Sequence, residues 1–260
     1  MSGKGVLAIW NDCAKGEETN YENWYQNEHL PERLGVPGFI RGRRYENLVD
    51  SPKFFTWYEV AFPDTLTSEY YMERLSNPTP WTRDIMSNAF MNASRTVCDR
   101  HIISGEVFGS TALTIQISDN QTKELILDNI ENDKNPSGIA RVENWIANTA
   151  FGTGAMAEES IRGRDKKISS CIFIETLRRE QAMNLAEQFH KQFPDIAIGV
   201  YDLICERHLV LNYDFLYRCP SSLSAPSNKI ERFRSESAAQ RSKSASINHP
   251  SGDPTDVKFL

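Results

Sequence analysis

The chain has 260 residues, 40% of them hydrophobic and 10% aromatic, enough for a globular core in two small domains or one large one. Its net charge of -6 gives no reason to expect nucleic-acid binding, which needs a basic face to neutralise phosphates. No apolar run approaches the ~18 residues that span a bilayer, and Met1-Ser2-Gly3-Lys4 leads into a strand-like run without a signal-peptide core. Five cysteines (Cys13, Cys98, Cys171, Cys205, Cys219) are scattered without a metal-like cluster, as suits reduced thiols in the cytoplasm.

Gly5 to Trp10 reads as a buried strand ending at Asn11-Asp12. From Glu17 the period changes: Tyr21, Trp24, Tyr25 and Glu28 fall on one helical stripe, and Pro31 should end or kink that helix near Leu30. Phe39 to Val49 and Phe54 to Phe62 read as strands around an Asp50-Ser51-Pro52 turn. In the second strand Phe55, Trp57 and Glu59 oppose Phe54, Thr56 and Tyr58. Ser68 is placed to cap a helix through Leu75, Thr79-Pro80 to open another turn at Trp81, and Arg95 to Val107 forms a fourth strand.

The order then recurs. Thr111 to Ile117 is a strand, Thr122 to Ile130 a helix and Ile139 to Ala150 a strand. A polar loop runs from Phe151 to Lys167, followed by strand Ser169 to Leu177, helix Arg179 to Phe193 and strand Ile196 to Leu209. The last strands nearly match, Val97-Cys98-Asp99-Arg100-His101-Ile102 against Ile204-Cys205-Glu206-Arg207-His208-Leu209, an offset of 107. Asp12 meets Asp119 at that offset, Gly38 and Arg41 meet Gly138 and Arg141, and Glu59 meets Glu175. A duplication follows: an α+β chain of two ferredoxin-like βαββαβ repeats, 1–109 and 110–219, packed sheet to sheet. From Pro220 to 260 the Ser-rich sequence lacks apolar spacing and predicts a disordered tail, with Tyr213, Phe215 and Tyr217 able to dock before it.

Trp24-Tyr25-x-x-Glu28-His29-Leu30-Pro31-Glu32-Arg33-Leu34, then Pro37-Gly38-Phe39 and Arg43-Arg44-Tyr45, resembles the EthD-like branch of the dimeric α+β barrel superfamily. Asn11-Asp12 before it and Thr79-Pro80-Trp81-Thr82-Arg83 after it extend the likeness over most of the first repeat. The second repeat shares only the order of elements. The resemblance implies two four-stranded antiparallel sheets face to face, helices outside, and a cavity between each sheet and its helices. It also implies cofactor-free oxygenases, isomerases or decarboxylases of aromatic and polyketide-like compounds, with haem enzymes as a further branch.

His29 is the leading acid/base candidate, at a helix end whose dipole favours the imidazolium; the alternative is a capping histidine bonded to Glu32 or a carbonyl. Asn11 is read as orienting a substrate carbonyl and Asp12 as fixing the His29 tautomer, against a strand-end turn that also explains Asp119. Arg43 suits a carboxylate or enolate, whereas Arg41 and Glu59 read as a structural ion pair. Tyr25, Trp24, Trp57 and Trp81 are expected to wall in a planar ligand, each of them also plausible as core. Residues three apart on a strand face opposite ways, so Cys98/His101 and Cys205/His208 do not chelate a metal, and none is expected.

The expected function is thus a small-molecule enzyme without a bound cofactor, working by acid/base chemistry from His29. A non-catalytic ligand-binding or assembly module is the alternative, and a haem enzyme with His29 as axial ligand a third. A further homodimer is compatible with this reading and not required by it.

Overall fold

A computed structural model describes residues 2–47, 50, 52–132, 138–151 and 157–209, with backbone alone for 131, 132 and 157. The expected tail, its docking aromatics and the middle of the Asp50-Ser51-Pro52 turn lie outside the described residues.

Alternating apolar sequence forms β1 (Gly5–Cys13), β2 (Phe39–Glu46), β3 (Phe54–Val60) and β4 (Phe90–Ser104), then β5 (Thr111–Ile117), β6 (Ile139–Ala147), β7 (Ser170–Thr176) and β8 (Ala197–His208). They close an antiparallel barrel in the order β1-β3-β2-β8-β5-β7-β6-β4. Each half keeps the same internal order, β4-β1-β3-β2 and β8-β5-β7-β6. The sheets face each other as expected, and their edges are also hydrogen-bonded, through β2–β8 and β4–β6, so the rim strands find partners within the chain. Gly38 and Gly138 lead into β2 and β6 with φ of 94° and 91°, a left-handed backbone that glycine adopts without a Cβ penalty.

Between the sheets lies an aromatic layer of Trp10, Tyr45, Phe55, Trp57, Trp145, Phe173 and Tyr201, all fully buried. Trp145 and Phe173 stack at 4.4 Å. Charge is buried beside it. Arg43 meets Glu175 at 2.6 Å, Arg100 meets Glu143 at 2.6 Å and Glu59 at 2.8 Å, and the expected Arg41–Glu59 pair forms at 3.5 Å.

Outside the first half lie α1 (Glu18–Trp24), a five-residue π-turn (Tyr25–His29), α2 (Leu30–Leu34), α3 (Glu69–Ser76) and α4 (Pro80–Asn88). The caps of the last two are those the sequence predicts: Ser68 Oγ accepts from Tyr71 N at 3.4 Å, and Thr79 Oγ1 from Thr82 N at 3.0 Å. Pro31 does not end the first helix. The π-turn widens the backbone, Leu30 N–H reaching back to the Tyr25 carbonyl, and the chain stays helical through the proline to Leu34. Outside the second half lie α5 (Asn120–Asn132) and α7 (Arg179–Gln192). The stretch expected as a loop from Phe151 to Lys167 contains α6 (Ala157–Arg162), which packs on α3 and α4 of the first half, while Lys166 hydrogen-bonds to β4 through Ala93 and Arg95.

Candidate functional site

Strand alternation sends Leu7, Ile9, Tyr58 and Arg95 away from the barrel interior, towards the helices of the first half. The helix opposite presents Tyr25, His29 and Arg33, spaced four apart on one face. Tyr71 of α3, Met86 of α4, Phe90, and Glu158 and Arg162 of α6 complete an enclosure. The space open to the centre of a water-sized sphere is about 20 Å³, room for about one water.

His29 is 4% exposed, its ring against Trp24 at 4.3 Å and Tyr25 at 5.0 Å. Because the helix continues to Leu34, His29 is not at a helix end, and the favourable dipole expected there is absent. Burial, followed by the guanidinium charges of Arg33, Arg162 and Arg44, holds its imidazole well below the ordinary histidine range. The ring is therefore neutral at pH 7, and its Nδ1 has no hydrogen-bond partner.

The surrounding groups are mostly donors. Arg33 Nη2 gives a 2.9 Å bond to Glu158, tying α2 to α6, while Arg33 Nη1 is unpartnered. The Tyr25 and Tyr58 hydroxyls lie near one another without a well-formed hydrogen bond. Burial raises both phenol pKa values, so both remain protonated at neutral pH. Arg162 is paired with Asp165 and lies 4.9 Å from the Phe90 ring. Arg95 donates to Tyr71 Oη at 2.8 Å.

Of the residues singled out from sequence, His29 and Tyr25 line this cavity and the others do not. Trp24 lies behind His29, its Nε1 donating to Thr82 Oγ1 at 3.0 Å. Asn11 bonds the Tyr21 hydroxyl at 2.8 Å, and Asp12 accepts from Lys53 N at 2.7 Å and Asn92 Nδ2 at 2.9 Å, so neither orients His29. Trp57 and Arg43 project from the opposite sheet face into the barrel interior, where Trp57 packs edge-on against Phe173 and Arg43 is held by Glu175. Trp81 is half-buried between helices, donating to Asn20 at 3.0 Å. The alternation of β3 was readable, and it is Tyr58, in the other set, that faces the cavity.

Arg33, Tyr58, Tyr71, Arg95, Glu158 and Arg162 were missed. Arg33 was within reach, four residues after His29 on the same stripe. Glu158 and Arg162 were not, because nothing in a polar connecting segment signals that it crosses to the other half. Among the described residues no three His, Cys, Asp or Glu side chains converge as a metal site. The haem alternative does not fit His29: a porphyrin needs several hundred Å³, whereas the His29 ring is packed against Trp24 at 4.3 Å and Tyr25 at 5.0 Å and the space beside it holds about one water.

Fold and site together define an α+β barrel with a small polar cavity between one sheet and its helices. No family model matches the sequence, and no curated protein does. Solved structures similar to it include a monooxygenase candidate from Fusobacterium nucleatum, 14% identical, with 80% of this chain and 96% of that one covered and a TM-score of 0.47. A chlorite dismutase variant from Candidatus Nitrospira defluvii is 12% identical over 77% of this chain and 92% of that one, TM-score 0.45. A haem-binding protein from Thermus thermophilus is 9% identical over 79% and 92%, TM-score 0.43. Likeness at this level carries nothing about chemistry.

Proposed function

We propose that this chain is a small-molecule enzyme in which neutral His29 takes a proton from an aromatic or polyketide-like substrate without a bound cofactor. The carrying observation is the unpartnered His29 Nδ1 in a cavity whose other polar groups are guanidiniums, phenols and one carboxylate, Glu158, that Arg33 already holds. The Nδ1 lone pair accepts a proton from carbon next to a carbonyl, the C–H electron pair shifts to form an enolate, and the surrounding donors stabilise the oxyanion. Reprotonation at another carbon completes an isomerisation; reaction of the enolate with dioxygen begins an oxygenation; a decarboxylation reaches the same enolate by losing carbon dioxide. A substrate with one ring requires α6 to shift from the cavity, a movement of one short helix held by the Arg33–Glu158 pair.

The EthD-like resemblance of residues 24–45 supports this reading, since its motif supplies Tyr25, His29 and Arg33 together. The matching strands Val97 to Ile102 and Ile204 to Leu209 support a tandem of two repeats, 1–109 and 110–219. No helix of the described residues is long and apolar enough to cross a membrane, and the free Cys13, Cys98, Cys171 and Cys205 support a cytoplasmic site of action.

The test is deuterium incorporation from D2O into a panel of aromatic ketones and 1,3-diketones, followed by mass spectrometry. Wild type should accelerate exchange for at least one compound, and His29→Gln should lose about 100-fold or more of that rate. Binding without exchange across the panel would replace this reading with the non-catalytic ligand-binding module.

A further inference from the structure

We propose that the His29 cavity takes an aromatic carboxylate, with Arg95 as the residue that holds its carboxylate. The proposal rests on the cavity being a ligand site that opens by the α6 shift described above, since the closed space holds about one water and Arg33 keeps Glu32 when Glu158 leaves; it is independent of the proton chemistry assigned to His29.

The argument begins with counter-charges. Of the arginines that line the cavity, Arg33 is matched by Glu158 at 2.9 Å and Glu32 at 4.0 Å, and Arg162 by Asp165. Arg95 is 4% exposed and bonds a neutral phenol; no carboxylate pairs with it among the described residues. Behind the cavity wall Arg44 is 0% exposed, and none of its three guanidinium nitrogens has a hydrogen-bond partner. The rings of Tyr25, Phe54 and Tyr21 lie 4.5, 4.6 and 5.0 Å from its guanidinium carbon and offset only part of the lost hydration. Two buried cations without counter-ions thus stand in and beside one cavity, where an isolated charge is strongly disfavoured.

The hydrogen-bond inventory points the same way. Arg33 Nη1 is unpartnered, and the Tyr25 and Tyr58 hydroxyls, near one another without a well-formed hydrogen bond, can each donate to a ligand. An ionised carboxylate only accepts, and a planar guanidinium matches its two oxygens. The remaining walls are flat or apolar, with Tyr25, Tyr58, Tyr71 and Phe90 suited to a ring. A tetrahedral anion would satisfy the charge and leave these faces uncovered.

Benzoate and benzamide share a shape and differ in charge, so they serve as probes of the full-length chain by calorimetric titration and thermal shift. Benzoate should raise Tm and bind about tenfold or more tightly than benzamide, since hydrogen bonds to a charged group are the stronger kind. Arg95→Gln should bring benzoate down to the benzamide level, and Arg95→Lys should recover part of the loss. Benzoate binding is read without turnover and deuterium exchange without benzoate, so the two proposals fail separately. Equal binding of the two probes, no benzoate binding, or unchanged benzoate affinity in a folded Arg95→Gln would overturn the assignment. Should Arg95→Gln not fold, Arg95→Lys tests the residue in its place, and the wild-type comparison of the two probes still decides whether the ligand is a carboxylate.

Discussion

Replacing His29 by Gln should flatten the acid side of the stability profile. In the folded chain the imidazole is buried and held neutral, whereas in the unfolded chain it titrates at its ordinary value of 6.5. A depressed folded pKa means stability that is fully present above the unfolded value and lost as pH falls through 6.5 and below. Between pH 7 and pH 5 the unfolded chain gains most of one proton that the folded chain refuses, an expected loss of up to about 2 kcal/mol from this residue alone. Urea unfolding followed by tryptophan fluorescence at pH 5, 6, 7 and 8, extrapolated linearly to water, measures it. The carboxylates are common to both proteins and cancel in the difference. Parallel profiles for wild type and His29→Gln would refute the reasoning, because they would mean that the folded site accepts the proton and that Arg33, Arg162 and Arg44 do not set its charge.

Other substitutions test the same physics elsewhere. Glu143→Gln should destabilise by about 3–5 kcal/mol in urea, because this fully buried carboxylate accepts from Arg100, Arg141 and Trp145 and its loss takes a counter-charge from both arginines. A loss under about 1 kcal/mol would show that Glu59 alone compensates Arg100. Tyr58→Phe removes a buried hydroxyl that has no partner, so unfolding should shift by less than about 1 kcal/mol in either direction; a larger loss would reveal a hydrogen bond made there. Thr79→Ala should lower stability by about 1 kcal/mol through the α4 cap, and an unchanged urea midpoint would show that Pro80 alone fixes that helix start.

The strands were legible because period-two alternation and glycine-bounded turns are local signals, and β5 runs over the residues expected of it, Thr111 to Ile117. Ser68 and Thr79-Pro80 were legible for the same reason: a cap is a matter of two or three neighbouring residues. Pro31 was legible as an irregularity near Leu30 but not as its kind: the helix does not end there, and a π-turn closes just before the proline. Alternation separated Trp57 from Tyr58 but carried no sign of which face met the helices. Both faces of these strands are buried, so neither set could be recognised by polarity. Glu158 was illegible because its contact with Arg33 spans 125 residues, and nothing local to either segment encodes it.

The two faces of one sheet treat charge differently, and that difference bears most directly on function. Inside the barrel Arg41, Arg43, Arg100 and Arg141 each have a glutamate within 3.5 Å. On the helix side, Arg44 and Arg95 project from β2 and β4 of the same sheet and have none among the described residues. Arg44 and Arg95, 0% and 4% exposed, are no more open to water than Arg43 and Arg100 at 2% and 7%. The interior therefore demonstrates that this fold can supply a carboxylate to a buried guanidinium, and packing alone does not require the helix side to do without. The missing counter-charges gather on the face where a neutral histidine has an unpartnered nitrogen. A ligand that brings its own negative charge and a proton to give up would answer both at once.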